Sequence, residues 1–422
     1  MTAVQDRQFG LWQRRVILFS AIGYAFFYLV RKNLSMAQAG MLEEGVVSLE
    51  ALGTIMTAHG LLYGASRFIN GFWADRVNAR VFMVLGLVMS AALNLVFGCL
   101  SLTVLFAVFW IVNGWTQGMG FPPCTKMLTH WIPPKELATK MSLWNASHSV
   151  GAVLALGLCS ALFALGLNWR WCFGIPGVLA LGAAVLVFVM VRETPKDVGL
   201  PEIDAEMPKR TEAKVDRFRL VFGNRVIWIV SIANFFVYAV RFGFLDWGPT
   251  FLKQFKGIPV AKGGLMIIAF ELAAVVGTVF AGWATDRFFK GRGQRMCVFC
   301  MLFAALFSFA FWWLPTGAPG WQATLLLMGA GFFIYGPQAL TGIITANQAT
   351  KDAAALATGF SGVCGYLSTT VSGVGLALVS KHFGWGVALA AIAALARVGM
   401  LLFRLAWTAP ADGYKRNRPK ED

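Results

Sequence analysis

Charge is scarce in this chain: Asp, Glu, Lys and Arg together make up 13% of its 422 residues, while 58% are hydrophobic. A soluble globular surface needs roughly a quarter of its residues charged, so a soluble enzyme is excluded. Most of the perimeter must face something apolar, and only a lipid bilayer qualifies. Acidic residues are the rarer sign, 20 against 36 basic ones. The basic excess is spread through short loops and forms no patch or arm, which argues against a nucleic-acid binder and reads as an orientation signal. Seven cysteines, an odd number scattered along the chain, give no disulfide framework. Cys297-Val-Phe-Cys300 has zinc-like spacing, but no second ligand pair follows and it lies in an apolar run, so no metal site is expected. Gly118-Met-Gly120 opens no strand-to-helix turn and is no nucleotide loop. It reads, with Pro122-Pro123, as close helix packing and a kink. No nucleotide-hydrolysing motif is present and no cofactor is expected, so any energy must come from gradients.

Long apolar runs are what the chain has in abundance. A spanning helix needs about 20 such residues, and twelve fit, at approximately 12–39, 51–73, 81–101, 103–126, 139–165, 171–191, 225–250, 263–286, 294–315, 320–346, 354–380 and 384–408. None alternates as a membrane strand would. The fold class is an all-α membrane protein with 12 transmembrane helices. With both termini on one side, that side holds 24 basic residues and the other five, which predicts cytoplasmic termini. Ala37 and Ala39 loosely imitate a signal-peptide cleavage site, but Arg31 and Lys32 interrupt the run before them and a permanent first helix is expected.

The polar stretch 193–224 reads as a linker between units at 1–192 and 225–422. Two motifs recur across it: Tyr28-Leu-Val-Arg31 returns as Tyr238-Ala-Val-Arg241, 210 residues on, and Gly71-Phe-Trp-Ala-Asp75-Arg76 returns as Gly282-Trp-Ala-Thr-Asp286-Arg287, 211 residues on. Such spacing argues for a duplicated six-helix bundle. Six is even, so the copies share one orientation and are related by a pseudo-twofold axis along the membrane normal. This is the parallel repeat of the major facilitator superfamily, with its site at midplane between the halves. The doubled Gly-x-x-x-Asp-Arg resembles that superfamily's loop signature, the glycine letting helices approach closely and the carboxylate facing a basic partner or a helix N-terminus.

Seven basic residues fall inside spans. The run Val16–Val30 is 15 residues, about 22 Å of helix, too short for a core of about 30 Å, so the helix must continue through Arg31 and Lys32. The same holds for Val226–Val240 and Arg241. An intramembrane arginine costs about 2.5–3.5 kcal/mol on insertion scales and persists where it faces a cavity, a partner or a ligand. Snorkelling to the headgroups is the bland alternative, less so for a symmetric pair. Two guanidiniums suit a phosphate monoester, which is nearly dianionic and accepts paired hydrogen bonds. The predicted ligand is an organic phosphate.

The stretch Gly23-Tyr-Ala-Phe-Phe-Tyr-Leu-Val-Arg31-Lys32-Asn33-Leu-Ser35 resembles the first-helix signature of the organophosphate:inorganic phosphate antiporters. Similarity continues in Arg76-Val-Asn-Ala-Arg80, Gln117-Gly-Met-Gly-Phe-Pro-Pro123, Trp144-Asn-Ala-Ser-His148, Arg241-Phe-Gly-Phe-Leu-Asp246-Trp247-Gly and Gly336-Pro-Gln338. The resemblance implies that Arg31 and Arg241 bind phosphate, that His148 is a substrate-site histidine, that Lys32 is the basic residue beside the site, and that Glu271 is the eighth-helix carboxylate. It places Arg67 where the family often has lysine and Lys126 where it has a basic residue. From the residues alone, His148 could equally be a packed hydrogen-bonding group. Lys32, about 100° around the helix from Arg31, could flank the site or pair with Glu271. Arg67, Lys126 and Asp246 could be structural ion-pair members, and Arg397 and Arg404 are expected to snorkel.

The expected function is exchange of a phosphate ester for inorganic phosphate by alternating access, hexose 6-phosphate first, glycerol 3-phosphate or phosphoglycerate behind it. The protein is expected to be a monomer in a bacterial inner membrane. The rival reading is a sugar-phosphate sensor of transporter fold that signals to a histidine kinase; both need the same pocket.

Overall fold

A computed structural model gives the protein's structure over residues 3–133, 140–141, 143–201, 217–349 and 353–411, without the side chains of Ala3, Phe68, Phe72, Asp75, Arg217, Ala354 and Ala355. Much of the 193–224 stretch, Lys135, Lys351 and the basic C-terminal residues therefore lie outside the described residues. The first half contains α1 (Ala3–Glu43), α2 (Leu49–Arg76), α3 (Ala79–Cys99), α4 (Thr103–Gln117), α5 (Phe121–Trp131), α6 (Ser147–Ala164) and α7 (Trp171–Met190). After a short helix, α8 (Arg217–Phe222), come α9 (Arg225–Lys256), α10 (Val260–Phe289), α11 (Gly293–Trp313), α12 (Gly320–Gln348), α13 (Ala354–Leu367) and α14 (Leu376–Leu405). No strand occurs among the described residues.

Among the described residues nine helices are long and apolar enough to cross a membrane. One, Leu356–Leu405, breaks at Gly384, where φ is 81° and ψ 166°, a conformation glycine adopts without a Cβ penalty, so it supplies two spans. The first two helices fall outside the nine. Arg31, Lys32 and Asn33 in α1, and His59, Arg67 and Asn70 in α2, lower their hydropathy, and with them the twelve expected spans are complete. The fourth span is broken as expected: α4 stops at Gln117, and Pro122 and Pro123 stand in the first turn of α5.

Local chemistry sets several ends. Asn78 and Asn224 cap α3 and α9, their side-chain oxygens accepting from the amides of Val81 and Val226 at 3.1 and 2.9 Å. Outward faces remain apolar: Val178, Val185 and Val189, on one stripe of α7, are all exposed, as a lipid-facing surface requires.

The chain divides into two compact units, one of residues 1–47 with 58–212 and the other of 48–57 with 213–422. In the first, Tyr24, Phe27, Trp131 and Trp144 anchor a buried cluster, and α6 lies so close to α1 that a Cβ on Gly151 would sit 2.1 Å from the Ala25 carbonyl oxygen. In the second, a Cβ on Gly277 of α10 would sit 1.8 Å from the Phe332 carbonyl oxygen of α12. Small residues permit such approach where lipid supplies no hydrophobic drive between helices. The opening turns of α2 belong to the second unit: the Thr57 hydroxyl donates to the Thr369 carbonyl and accepts from the Val374 amide, both at 2.9 Å, and Glu50 pairs with Lys381 at 2.8 Å.

Candidate functional site

In the first half Arg31 follows a break in α1. Val30 has φ −87° and ψ 15°, where a helix has ψ near about −42°, and neither proline nor glycine is at hand. The guanidinium of Arg31 lies over the Tyr63 ring of α2, 3.9 Å from its centroid, and 5.7 Å from that of Tyr28. The Tyr28 and His148 rings meet edge to face, their centroids 5.4 Å apart. The Nδ1 of His148 lies 2.5 Å from the Asn145 carbonyl; a carbonyl only accepts, so Nδ1 carries the proton. The Nε2 is then an acceptor when the ring is neutral and a donor when it is charged. Arg31, Tyr63, Tyr28 and His148 thus form one group. Lys32 is buried beside it.

Arg67 joins the group through rings. Its guanidinium lies 4.0 Å from the Phe121 centroid, Phe121 packs on Tyr24 and Trp144, and Tyr24 meets Tyr28 at 5.6 Å. Stacking occupies the flat face of a guanidinium and not its edge, where all five N–H bonds point.

In the second half Arg241 is buried on α9, its guanidinium 4.5 Å from the Tyr335 centroid of α12 and 5.7 Å from that of Phe242. The Tyr335 hydroxyl donates to Oε1 of buried Glu271 on α10. An arginine, a tyrosine and a carboxylate from three helices are therefore collected together. Asp246 is half-buried five residues beyond Arg241 on the same helix, about 140° around it, and lies on another side.

Lys126 is placed elsewhere. Its ammonium pairs with Glu193 at 2.8 Å and donates to the carbonyls of Ala74 and Val77 at 3.0 and 3.1 Å. It caps the C-terminal end of α2, where a helix offers unpaired carbonyls and partial negative charge, so Lys126 holds the loop motif and sits outside the arginine group. Replacing Lys126 with methionine strands Glu193 and removes three charge-assisted bonds, each worth about 1.5–3 kcal/mol at most, in a partly exposed setting that weakens them. The melting temperature of the purified protein in detergent is expected to fall by several degrees, with Lys126→Met/Glu193→Gln recovering part of the loss. An unchanged melting temperature would refute the capping role.

In the loop motif, a Cβ on Gly71 or Gly282 would meet nothing within 4 Å among the described residues. Arg76, Asp286 and Arg287 are exposed, and the side chain of Asp75 lies outside the described residues. Arg397 and Arg404 are exposed near the end of α14.

Tyr63 and Tyr335 escaped notice in the sequence, although a signal exists. The chain has 7 tyrosines against 36 phenylalanines, so a phenolic hydroxyl is spent sparingly, and Tyr24, Tyr28, Tyr63 and Tyr335 all fall within the arginine groups.

The family model for the Major Facilitator Superfamily matches residues 20–373. The chain is 34% identical to the Glycerol-3-phosphate transporter of Bacillus subtilis over 92% of its length and 90% of the relative's. It is 32% identical to a protein of Chlamydia pneumoniae named "Probable hexose phosphate transport protein", over 96% and 93% of the two chains. With the Membrane sensor protein UhpC of Salmonella typhimurium it shares 33% identity over 94% and 92%. Its fold matches the crystal structure of a bacterial homologue of the human lysosomal transporter Spinster, with a TM-score of 0.81 at 16% identity over 97% and 99% of the two chains.

Proposed function

The chain belongs to the major facilitator superfamily, in its organophosphate:inorganic phosphate antiporter branch, and from that premise we propose that it moves a phosphate ester across the membrane in exchange for inorganic phosphate. The observation that carries the reading is the matched arrangement at Arg31 and Arg241. The two arginines occupy the same place in the duplicated sequence, and each lies over a tyrosine ring of its own half, at 3.9 and 4.5 Å, Tyr63 from the second helix of one half and Tyr335 from the fourth of the other. Contact with a ring restrains each guanidinium, and a restrained planar fork suits paired donation to adjacent phosphoryl oxygens.

In this reading Arg31 and Arg241 bind the phosphoryl group. His148 accepts or donates at a hydroxyl or phosphoryl oxygen, Lys32 adds positive charge, and Arg67 flanks them. Glu271 holds Tyr335, and Tyr335 holds Arg241. Bound phosphate neutralises guanidinium charge in a medium of low dielectric, so the loaded carrier crosses between its states more readily than the empty one. That makes exchange obligatory. The ester is a hexose 6-phosphate, with glycerol 3-phosphate and phosphoglycerate as the other members of the class. Both termini are cytoplasmic, the membrane is the bacterial inner membrane, and the protein acts as a monomer.

The test is reconstitution. Vesicles loaded with inorganic phosphate are expected to take up labelled hexose 6-phosphate, and vesicles without internal phosphate are not. Equal uptake by both would refute the coupling. The similarity to a membrane sensor protein supports a second reading, in which the same site signals to a histidine kinase; saturable binding of hexose 6-phosphate without any flux would select it.

A further inference from the structure

The break at Val30 has identifiable fasteners. With ψ some 55–60° from the helical value, everything after Val30 is redirected, beginning with Arg31, and the Val30 carbonyl tilts out of the helix. A buried carbonyl needs partners. It receives two side-chain amides from two other helices: Asn94 of α3 donates from Nδ2 at 2.9 Å and Asn113 of α4 donates from Nδ2 at 3.3 Å. Asn33, two residues beyond Arg31, completes the fastening. Its Oδ1 accepts from the Leu34 amide at 3.1 Å, and its Nδ2 donates to Asn94 Oδ1 at 2.7 Å and to the Cys172 carbonyl at the start of α7 at 2.9 Å. Asn94 also donates to the Ser90 carbonyl at 2.9 Å.

All three asparagines are buried, none above 1% exposed, in a bundle where leucine would be the cheaper residue. They bracket the arginine on both sides and tie its backbone to three neighbouring helices. Among the described residues the second half shows no equivalent. No break is recorded in α9 at Val240, and Asn234 there donates to the Ser361 carbonyl and accepts from the Thr341 hydroxyl instead.

We infer that Asn94, Asn113 and Asn33 are positioning residues for phosphate recognition, holding the bend at Val30 that aims Arg31. The inference rests on Arg31 being a phosphoryl ligand, and it adds that the aim of this arginine, unlike that of Arg241, is set by amides acting on the backbone. A positioning group acts only through the group that it positions, so its removal matters only while that group can use the aim.

The experiment is a double-mutant cycle on the full-length protein, reading dissociation constants for inorganic phosphate and hexose 6-phosphate by titration calorimetry and KM and kcat in vesicles. Asn94→Ala is expected to weaken binding of both ligands about tenfold, the scale of one misdirected charge-assisted bond, while kcat changes less than KM. In an Arg31→Lys background the same substitution is expected to cost less than about twofold, because a flexible ammonium gains little from backbone aim. An equal loss in both backgrounds, or unchanged binding in Asn94→Ala, overturns the inference. If Asn94→Ala does not fold, Asn113→Ala, which removes the longer bond, takes its place and is expected to cost about threefold. Wild-type protein that binds neither ligand would instead overturn the proposed function, and wild-type binding that Arg31→Lys leaves unchanged would remove Arg31 from the site; the two failures are separable.

Discussion

Lysine in place of Arg31 or of Arg241 is expected to lower phosphate exchange by about two orders of magnitude while leaving the net charge of the protein unchanged. A guanidinium presents five donors in a rigid plane, whereas an ammonium presents three on a flexible stem and cannot make the paired contact. Each also loses its stacking, at 3.9 Å over Tyr63 and at 4.5 Å over Tyr335. Hydrogen bonds to charged groups contribute about 1.5–3 kcal/mol, and about 1.4 kcal/mol is a factor of ten, so one lost bond and a loosened second reach a hundredfold. Initial rates of labelled phosphate exchange in vesicles would measure it. If charge alone mattered, both lysine variants would exchange at nearly the wild-type rate, and the reading of these arginines as a phosphoryl clamp would be wrong.

Alanine at Gly277 or Gly151 is expected to abolish recovery of folded protein. The added methyl would meet the Phe332 carbonyl oxygen at 1.8 Å in the first case and the Ala25 carbonyl oxygen at 2.1 Å in the second. Both obstacles are backbone, which cannot rotate aside as a side chain can. Overpacking of a core costs about 1–3 kcal/mol where side chains can adjust, and here whole helices must separate. Gly182→Ala and Gly342→Ala are the controls, since a Cβ at either meets nothing within 4 Å. They are expected to be neutral or to stabilise by up to about 1 kcal/mol through helix propensity. Size-exclusion yield and melting temperature separate the two classes, and a Gly277→Ala protein as stable as the wild type would show that α10 and α12 do not touch as described.

The architecture was legible because span length and the composition of lipid-facing surface are properties of local sequence. Even α1 and α2, less apolar than the rest, were recognisable from Val16–Val30 and from the repeat that starts within them. The arginines were equally visible, since a charge in an apolar run has no bland background to hide in. The tyrosines were hidden for the opposite reason: Tyr63 and Tyr335 differ from the surrounding phenylalanines by one oxygen, and only tertiary structure reveals what that oxygen or ring touches. Lys126 was left open between a place near the site and a structural ion pair, because depth along a helix can be counted from sequence while direction cannot. Its neighbours, Ala74, Val77 and Glu193, come from two other places in the chain. Nothing in Leu29-Val30-Arg31 announces a bend, because the cause lies in α3 and α4.

A helix kinked by proline carries its bend from the moment of synthesis. The first helix of this protein cannot, since both amides that hold the Val30 carbonyl belong to segments made later, at positions 94 and 113. If those amides hold the bend, the first helix is expected to be straighter before they arrive, its arginine taking its final heading only when the third and fourth helices pack beside it. On the proposed reading of Arg31, competence to bind phosphate is in this sense acquired by assembly, after insertion of the arginine itself is complete.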